Sequence, residues 1–414
     1  MPSRELLIAL FLSQAIAPQH AAEDWPCFLG PRQDGTSRER ISKTWPAAGP
    51  PRLWTRAVGN AYSAPVVARE RLIVFHRVGN DEVLEALAAA TGKPLWSFRY
   101  PTAYEDQYGY NNGPRASPAV DGDRVYAYGA EGKLTCLSFD TGRTLWQRPV
   151  NSEHRVPQAF FGAGSAPVVE GNLVLLNLGG PDGAGIAAFD KLTGNTVWKA
   201  TSDGASYSTP VVRTIQGKRL AIFFTAAGLV VLEAATGVER YRLPFRSRTY
   251  ESVNAASPVV VDDVVFLSAT YNTGAVALRL EPGGLRTLWQ SRDAMQNHWA
   301  TSIHHDGILY GMDGRHEYGS NFRAIELATG RVRWTADQGL GRASFIMADG
   351  HLVALGERGE LALIEVNPQK YVEKARVKVL EYPCWTPPVL SHGLLYLRNE
   401  KQLLCLDLRE VLTR

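Results

Sequence analysis

TGKPLW at residues 91–96 returns as TGRTLW at 141–146, TGNTVW at 193–198 and TGRVRW at 329–334. Five residues before each Thr stands a small apolar residue, and three before it often an acid. The series runs Ala86/Ala88/Trp96, Cys136/Ser138/Trp146, Ala188/Asp190/Trp198, Val231/Glu233/Tyr241 and Ala324/Glu326/Trp334. A spacing variant, ALRLEPGGLRTLW at 277–289, ends on Trp289. Upstream of the turn lies a second repeated element: SAPVV (63–67), ASPAV (116–120), SAPVV (165–169), STPVV (208–212) and ASPVV (256–260). Looser copies follow at ATSIH (300–304), ASFIM (343–347) and TPPVL (386–390), which makes eight copies.

Measured from Pro65, Pro118, Pro167, Pro210, Pro258, Ser302, Phe345 and Pro388, the steps run from 43 to 53 residues. Several short strands in a period of that length describe a propeller blade rather than a helical repeat. Each period reads as four strands, with Thr-Gly as the hairpin between the third and fourth and Gly supplying its positive φ. A blade cannot bury its own faces, so the outer-strand aromatic is expected to pack into the next blade. The eighth period ends without a fourth strand, whereas PRLWTRAVG at 51–59 precedes the first. The predicted fold is therefore all-β, an eight-bladed propeller over 51–414 closed by an N-terminal strand that completes the last blade and buries Trp54.

Composition fits this reading, with 45% hydrophobic and 21% charged residues. The net charge of +3, with no run of Lys or Arg, gives no footprint for nucleic acid. Arg4, the apolar run Leu6–Ile16 and small residues near Ala21 and Ala22 form an export pattern, so residues 1–22 are expected to be a signal peptide and 23–50 a lead-in. No later segment is apolar enough to span a membrane, and no lipid-attachment cysteine follows the apolar run. The expected location is periplasmic or secreted, and the expected state a monomer.

Cys27, Cys136, Cys384 and Cys405 show no zinc or haem spacing. Cys136 and Cys405 occupy the small apolar slot and belong to the core. The lead-in must travel beside the last blade, so Cys27 could approach Cys384 and form a disulfide.

Small residues stand two positions before each reference residue, from Ser63 to Thr386. One position further out the ring diversifies into Tyr62, Arg115, Gly164, Tyr207, Ala255, Trp299, Arg342 and Trp385. This outer ring is predicted to line one mouth of the channel, with Asn112, Glu251, Asn254 and His298 within a few residues. Such convergence makes it the candidate ligand site. Tyr104, Tyr108 and Tyr110 read mainly as pins for a long loop, and Arg115 and Arg342 as either anion ligands or loop ion pairs. His298, His304, His305 and His316 lack a metal spacing.

The AxDxxTGxxxW repeat resembles the tryptophan docking motif of the quinoprotein alcohol dehydrogenase-like, or PQQ-like, superfamily over about residues 51–410. DWPCFLGPRQDGTS at 24–37 resembles the opening of exported planctomycete propellers of that superfamily. The resemblance implies a propeller and leaves function open. Its dehydrogenases commonly carry adjacent cysteines in a disulfide, Ca²⁺ held by Glu and Asn, and an Asp base beside pyrroloquinoline quinone. No adjacent cysteines occur here, although Glu251 and Asn254 offer a weak pair for a hard cation. The resulting expectation is an exported, non-catalytic binding or scaffold propeller without cofactor, binding a protein or small-molecule ligand. The alternatives are a Ca²⁺-dependent quinone oxidoreductase and a scaffold like the propeller lipoprotein of outer-membrane protein assembly.

Overall fold

The computed structural model describes residues 22–249, 252–316, 319–337 and 339–410, so the export pattern at 1–21 and Glu251 lie outside the described residues. Eight sheets form a closed ring. Blade one comprises Val66–Ala68, Arg71–Val78, Asp81–Ala88 and Pro94–Pro101, ordered from the channel outward, and the next six blades repeat that order. Blade eight takes Val389–Ser391, Leu394–Arg398 and Gln402–Asp407 from the C-terminal end, and its outer strand is Arg52–Ala57. That strand runs antiparallel to Gln402–Asp407 with Trp54 opposite Cys405, as the missing fourth strand predicts.

The pairing register explains the repeat. Each small residue faces the blade's aromatic across the outer hairpin: Ala86 opposite Trp96, Cys136 opposite Trp146, Ala188 opposite Trp198 and Ala324 opposite Trp334. All eight outer strand pairs shift register beside this position, so one extra residue twists the outer strand and aims its side chain sideways. The ring lands on the neighbouring blade's turn. Trp96 Nε1 donates to Phe139 O (2.8 Å), Trp146 Nε1 to Lys191 O (3.1 Å) and Trp289 Nε1 to Leu327 O (2.7 Å). The turn glycine therefore has two duties. Gly142 adopts φ +68°, and a Cβ there would lie 2.6 Å from the Trp96 ring.

Blade seven departs from the pattern, with Ala375 opposite Leu363 where the others carry an aromatic. The lead-in compensates: Trp45 packs against the same core cluster as Ala375, and Gly49 lies against Val377. Throughout, the core is distributed among the joints. One cluster joins blades one and two through Phe75, Leu84, Val125 and Phe139, and another joins three and four through Leu175, Phe223 and Val230.

One channel end, here called the base, is crossed by residues 23–41. Trp25 exchanges main-chain hydrogen bonds with Val67 of blade one, and Pro26 O accepts from Val120 N of blade two. Gln33 Oε1 accepts from Val212 N of blade four, and Gly35 packs on Ile303 of blade six. Thr36–Ser37 adds a parallel strand to the inner edge of blade seven, and Glu39 accepts from His392 N of blade eight at 2.8 Å. The strap thus ties six blades together. Its own fold accounts for the DWPCFLGPRQDGTS stretch. Trp25, 2% exposed, lies on Gly30, where a Cβ would meet the ring. Arg32 grips Glu23 through two hydrogen bonds of 2.8 and 2.7 Å, and Asp34 Oδ1 accepts from Thr36 N and Oγ1. Burial opposes ionisation of Glu23, yet the bonds from Arg32 and from the Arg38 main chain outweigh it and hold this carboxyl below its usual range.

The strap corrects one expectation. It does pass blade eight, but at the base, where Glu23 O accepts from Ser391 Oγ before the chain runs on through Cys27, whereas Cys384 precedes the inner strand at the opposite end and donates its N–H to Glu357 O. All four cysteines are free thiols, and Cys27 Sγ and Cys384 Sγ make separate local bonds to Gly30 O and Glu381 O. Cys136 and Cys405 are buried in the small slot, as expected.

Candidate functional site

The mouth opposite the strap is built on the residues that enter the inner strands. Their main chains are fixed from blade to blade: Tyr62 N and Ser63 N donate to Pro114 O, Tyr207 N to Asn254 O, and Ala64 N to Ser117 Oγ. Small residues at this level let the eight strands converge, and the next residue out projects into the mouth. Gly164 leaves room for Tyr207, whose hydroxyl accepts from Phe161 N at 2.8 Å.

These side chains meet in one cluster. Trp385 packs on Tyr62 with centroids 5.1 Å apart and on Trp299 at 5.4 Å, and Trp299 packs on His298 at 4.7 Å. The Arg342 guanidinium lies over both tryptophans, at 5.0 and 4.9 Å. Arg115 lies over Tyr62 and Phe161, at 5.4 and 5.5 Å, and so carries the cluster across to Tyr207. Of the predicted residues, Tyr62, Arg115, Tyr207, His298, Trp299, Arg342 and Trp385 converge. Asn112 instead shapes the long loop through Oδ1, which accepts from Asp106 N. Asn254 sits buried below, with Nδ2 donating to Thr225 O at 2.8 Å. Among the described residues no group of three His, Cys, Asp or Glu is placed to hold a metal.

Both arginines are ion-paired within the protein. Arg342 Nη2 reaches Glu357 Oε2 at 2.6 Å, and the same oxygen accepts from Trp385 Nε1 at 3.1 Å. Arg115 pairs with the fully buried side chain of Asp106. Sequence reasoning missed these two acids because each lies in a link without a repeat equivalent. One sign was available, Gly341 beside the mouth ring: a Cβ there would collide with the Glu357 carboxylate. Burial, reinforced by the positive charges of Arg342 and Arg315, pushes His298 down to about 3, which leaves it neutral. Burial and the neighbouring Glu400 raise Tyr62, so its phenol stays protonated.

The cluster opens outward as an aromatic ridge. Trp385 meets Tyr110 at 5.9 Å, Tyr110 meets Phe161 at 6.0 Å, and Phe161 meets Tyr108 at 5.4 Å. Tyr104 is buried as a loop pin, but Tyr108, Tyr110 and Tyr382 are 44, 56 and 51% exposed. The ridge therefore presents large rings to solvent over a base of paired charges.

Comparison with known proteins bears on this arrangement. The family model described as "Outer membrane protein assembly factor BamB" matches residues 35–161 and 81–336, well over half of the chain. The chain belongs to that family. It is 27% identical to the outer membrane protein assembly factor BamB of Burkholderia pseudomallei over 236 residues, which cover 56% of each chain. The match thus spans little more than half the length of that curated relative. The crystal structure of BamB from Moraxella catarrhalis superimposes with a TM-score of 0.62 at 14% identity, covering 88% of this chain and 99% of that one. Quinohemoprotein alcohol dehydrogenase from Comamonas testosteroni gives 0.66 at 11%, covering 95 and 83%. At such identities the structures share the fold and nothing finer. With the family match, the shared propeller fold agrees with the PQQ-like repeat read from the sequence. Among the described residues no helix is long and apolar enough to cross a membrane.

Proposed function

We propose that this protein is an exported, non-catalytic docking propeller that serves outer-membrane protein assembly and grips a protein partner with the aromatic ridge at its mouth. The observation that carries the reading is the exposure of Tyr108, Tyr110 and Tyr382 on a rigid, charge-neutralised bed of Trp385, Trp299 and Arg342. Tyr and Trp supply large contact areas at low entropic cost, and such anchors dominate protein interfaces. Membership of the BamB family supports the same reading, as does the export pattern of the N-terminus. The wider expectation of a binding or scaffold protein is thereby narrowed to its outer-membrane form.

The packing of the mouth among the described residues favours docking over a quinone held against calcium. The faces of Trp299 and Trp385 are occupied by each other and by Arg342, which leaves no open aromatic face there for a quinone to stack on. A photo-crosslinking amino acid at Tyr110 or Tyr382, with Val238 on an outer turn as control, tests the docking reading in the producing cell. Capture of an outer-membrane assembly component from the mouth positions alone is expected. Equal capture from Val238 would dissolve the claim. Calorimetric titration with pyrroloquinoline quinone and Ca²⁺ should give no saturable heat, and a saturating isotherm would move the protein to the oxidoreductase class.

A further inference from the structure

A groove of about 360 Å³ opens between blades four and five, away from the aromatic ridge. Its walls are the loop that follows the outer strand Glu239–Pro244, the link at Tyr271–Thr273 and the end of the outer strand Gly284–Ser291. Of the eleven described lining residues, three are arginines, Arg246, Arg248 and Arg292, and none of those described is Asp or Glu. A fourth guanidinium, that of Arg315, stacks on the lining residue Tyr271 at 4.7 Å.

Elsewhere on the outer strands, arginines are matched with acids: Arg148 with Glu153, Arg242 with Asp203 and Glu239, Arg286 with Glu281, Arg376 with Glu373. Among the described residues no carboxylate pairs with any of the four arginines at this groove. Arg246, Arg248, Arg292 and Arg315 are all exposed, so their forks are free to turn inward. The wall adds Thr273, whose buried hydroxyl has no hydrogen-bond partner among the described residues. Guanidiniums crowded around one concavity repel one another, and an anion in the concavity relieves that repulsion. The ligand must carry at least two negative charges and several acceptor oxygens close together, because every polar side-chain group of the groove that bears charge is a forked donor. A phosphoryl group meets that requirement, with three acceptor oxygens and a charge of up to about −2, in a geometry that guanidinium forks match.

We propose that the groove between blades four and five is a binding site for a phosphoryl group, offered by a soluble phosphorylated molecule or by a lipid headgroup. The groove touches the mouth cluster where Tyr271 packs on His298, but the proposal does not rest on the docking reading, and its failure would leave that reading intact. Calorimetry with inorganic pyrophosphate should show one site per chain that weakens as salt is raised. The combined replacement Arg246→Ala, Arg248→Ala and Arg292→Ala should weaken binding by at least about tenfold. Arg143→Ala, at an exposed outer turn of blade two, should leave binding unchanged, and melting curves of both variants should match the parent. Sedimentation with phosphatidylcholine vesicles, with and without phosphatidic acid, separates the sources. Pyrophosphate-sensitive sedimentation with phosphatidic acid assigns a headgroup, and pyrophosphate binding without sedimentation assigns a soluble ligand. The proposal is overturned if neither probe binds, if the triple variant binds as well as the parent, or if citrate binds more tightly than pyrophosphate.

Discussion

The two ends of the channel are closed by different materials. The base is closed largely by main chain: the strap at 23–41 hydrogen-bonds or packs onto six blades. The mouth is closed by side chains that stack on one another, with Glu357 and Asp106 neutralising the arginines among them. Main-chain bonding asks little of sequence and resists being worn away by mutation, which suits a brace. A side-chain cap costs more to specify, and its outermost members, Tyr108, Tyr110 and Tyr382, stand about half exposed to solvent. One end is architecture, and the other is surface.

That contrast breaks most visibly under truncation. Removing residues 1–60 takes away both the strap and the strand opposite Gln402–Asp407, so the melting temperature should fall sharply and unfolding should lose its single transition. Removing only residues 1–41 should lower the melting temperature by a smaller amount, because the ring still closes. A melting curve unchanged by the shorter deletion would show that the base is not braced. Next in size are the joints. Trp198 is 9% exposed, and Trp198→Ala should cost about 3 to 5 kcal/mol in urea unfolding. The half-buried Trp96 and Trp146 should cost less than that.

Acid separates the ends by pH window. Burial, aided by facing arginines, pushes His76 and His298 down to about 3 from 6.5, and His154 and His304 shift in the same direction. Below pH 6.5 the unfolded chain binds protons that these folded imidazoles refuse, so stability falls as pH drops toward 3. Glu23 in the strap sits below its usual 4.5, so its contribution is present above that pH and is lost only under stronger acid. Between pH 6.5 and 4.5, His298→Gln should therefore flatten the decline while Glu23→Gln leaves its slope alone. Matching slopes for His298→Gln and the parent would place the titration elsewhere. Smallest of all, Tyr110→Ala should change stability by no more than about 0.5 kcal/mol, measured by the same unfolding assay. A large loss would make the ridge part of the fold rather than a free surface.

The blades, the closing strand and the inward turn of the tryptophans were legible because each is written several times, so that independent copies corroborate one another. Even the pairing of Ala86 with Trp96 was visible as a spacing before its cause, a bulged cross-strand pair, was known. The strap was not legible, because DWPCFLGPRQDGTS occurs once and its partners lie about 40 to 370 positions away, from Val67 beside Trp25 to His392 beside Asp24. The same limit produced the misplaced Cys27: spacing brought the lead-in to blade eight but could not say at which end. At the mouth, the ring residues were found by their repeat position, while Asp106 and Glu357 were missed in unrepeated links. The arginines at the groove escaped notice because their meaning comes from the lack of an ion-pair partner among the described residues, which no local pattern records.

The junction of Arg52–Ala57 with Gln402–Asp407 also fixes an order of events in time. Seven blades are local in sequence and can form as the chain appears, but the eighth must wait for its far end. At a synthesis rate of about 5 to 20 residues per second, the first strand remains without a partner for on the order of 20 to 70 seconds. Throughout that interval the nascent ring is an open arc with a strand edge at either end, a shape that invites pairing with another chain. Whatever escorts this protein to its destination has those two edges to shield, and its task ends when Trp54 reaches Cys405.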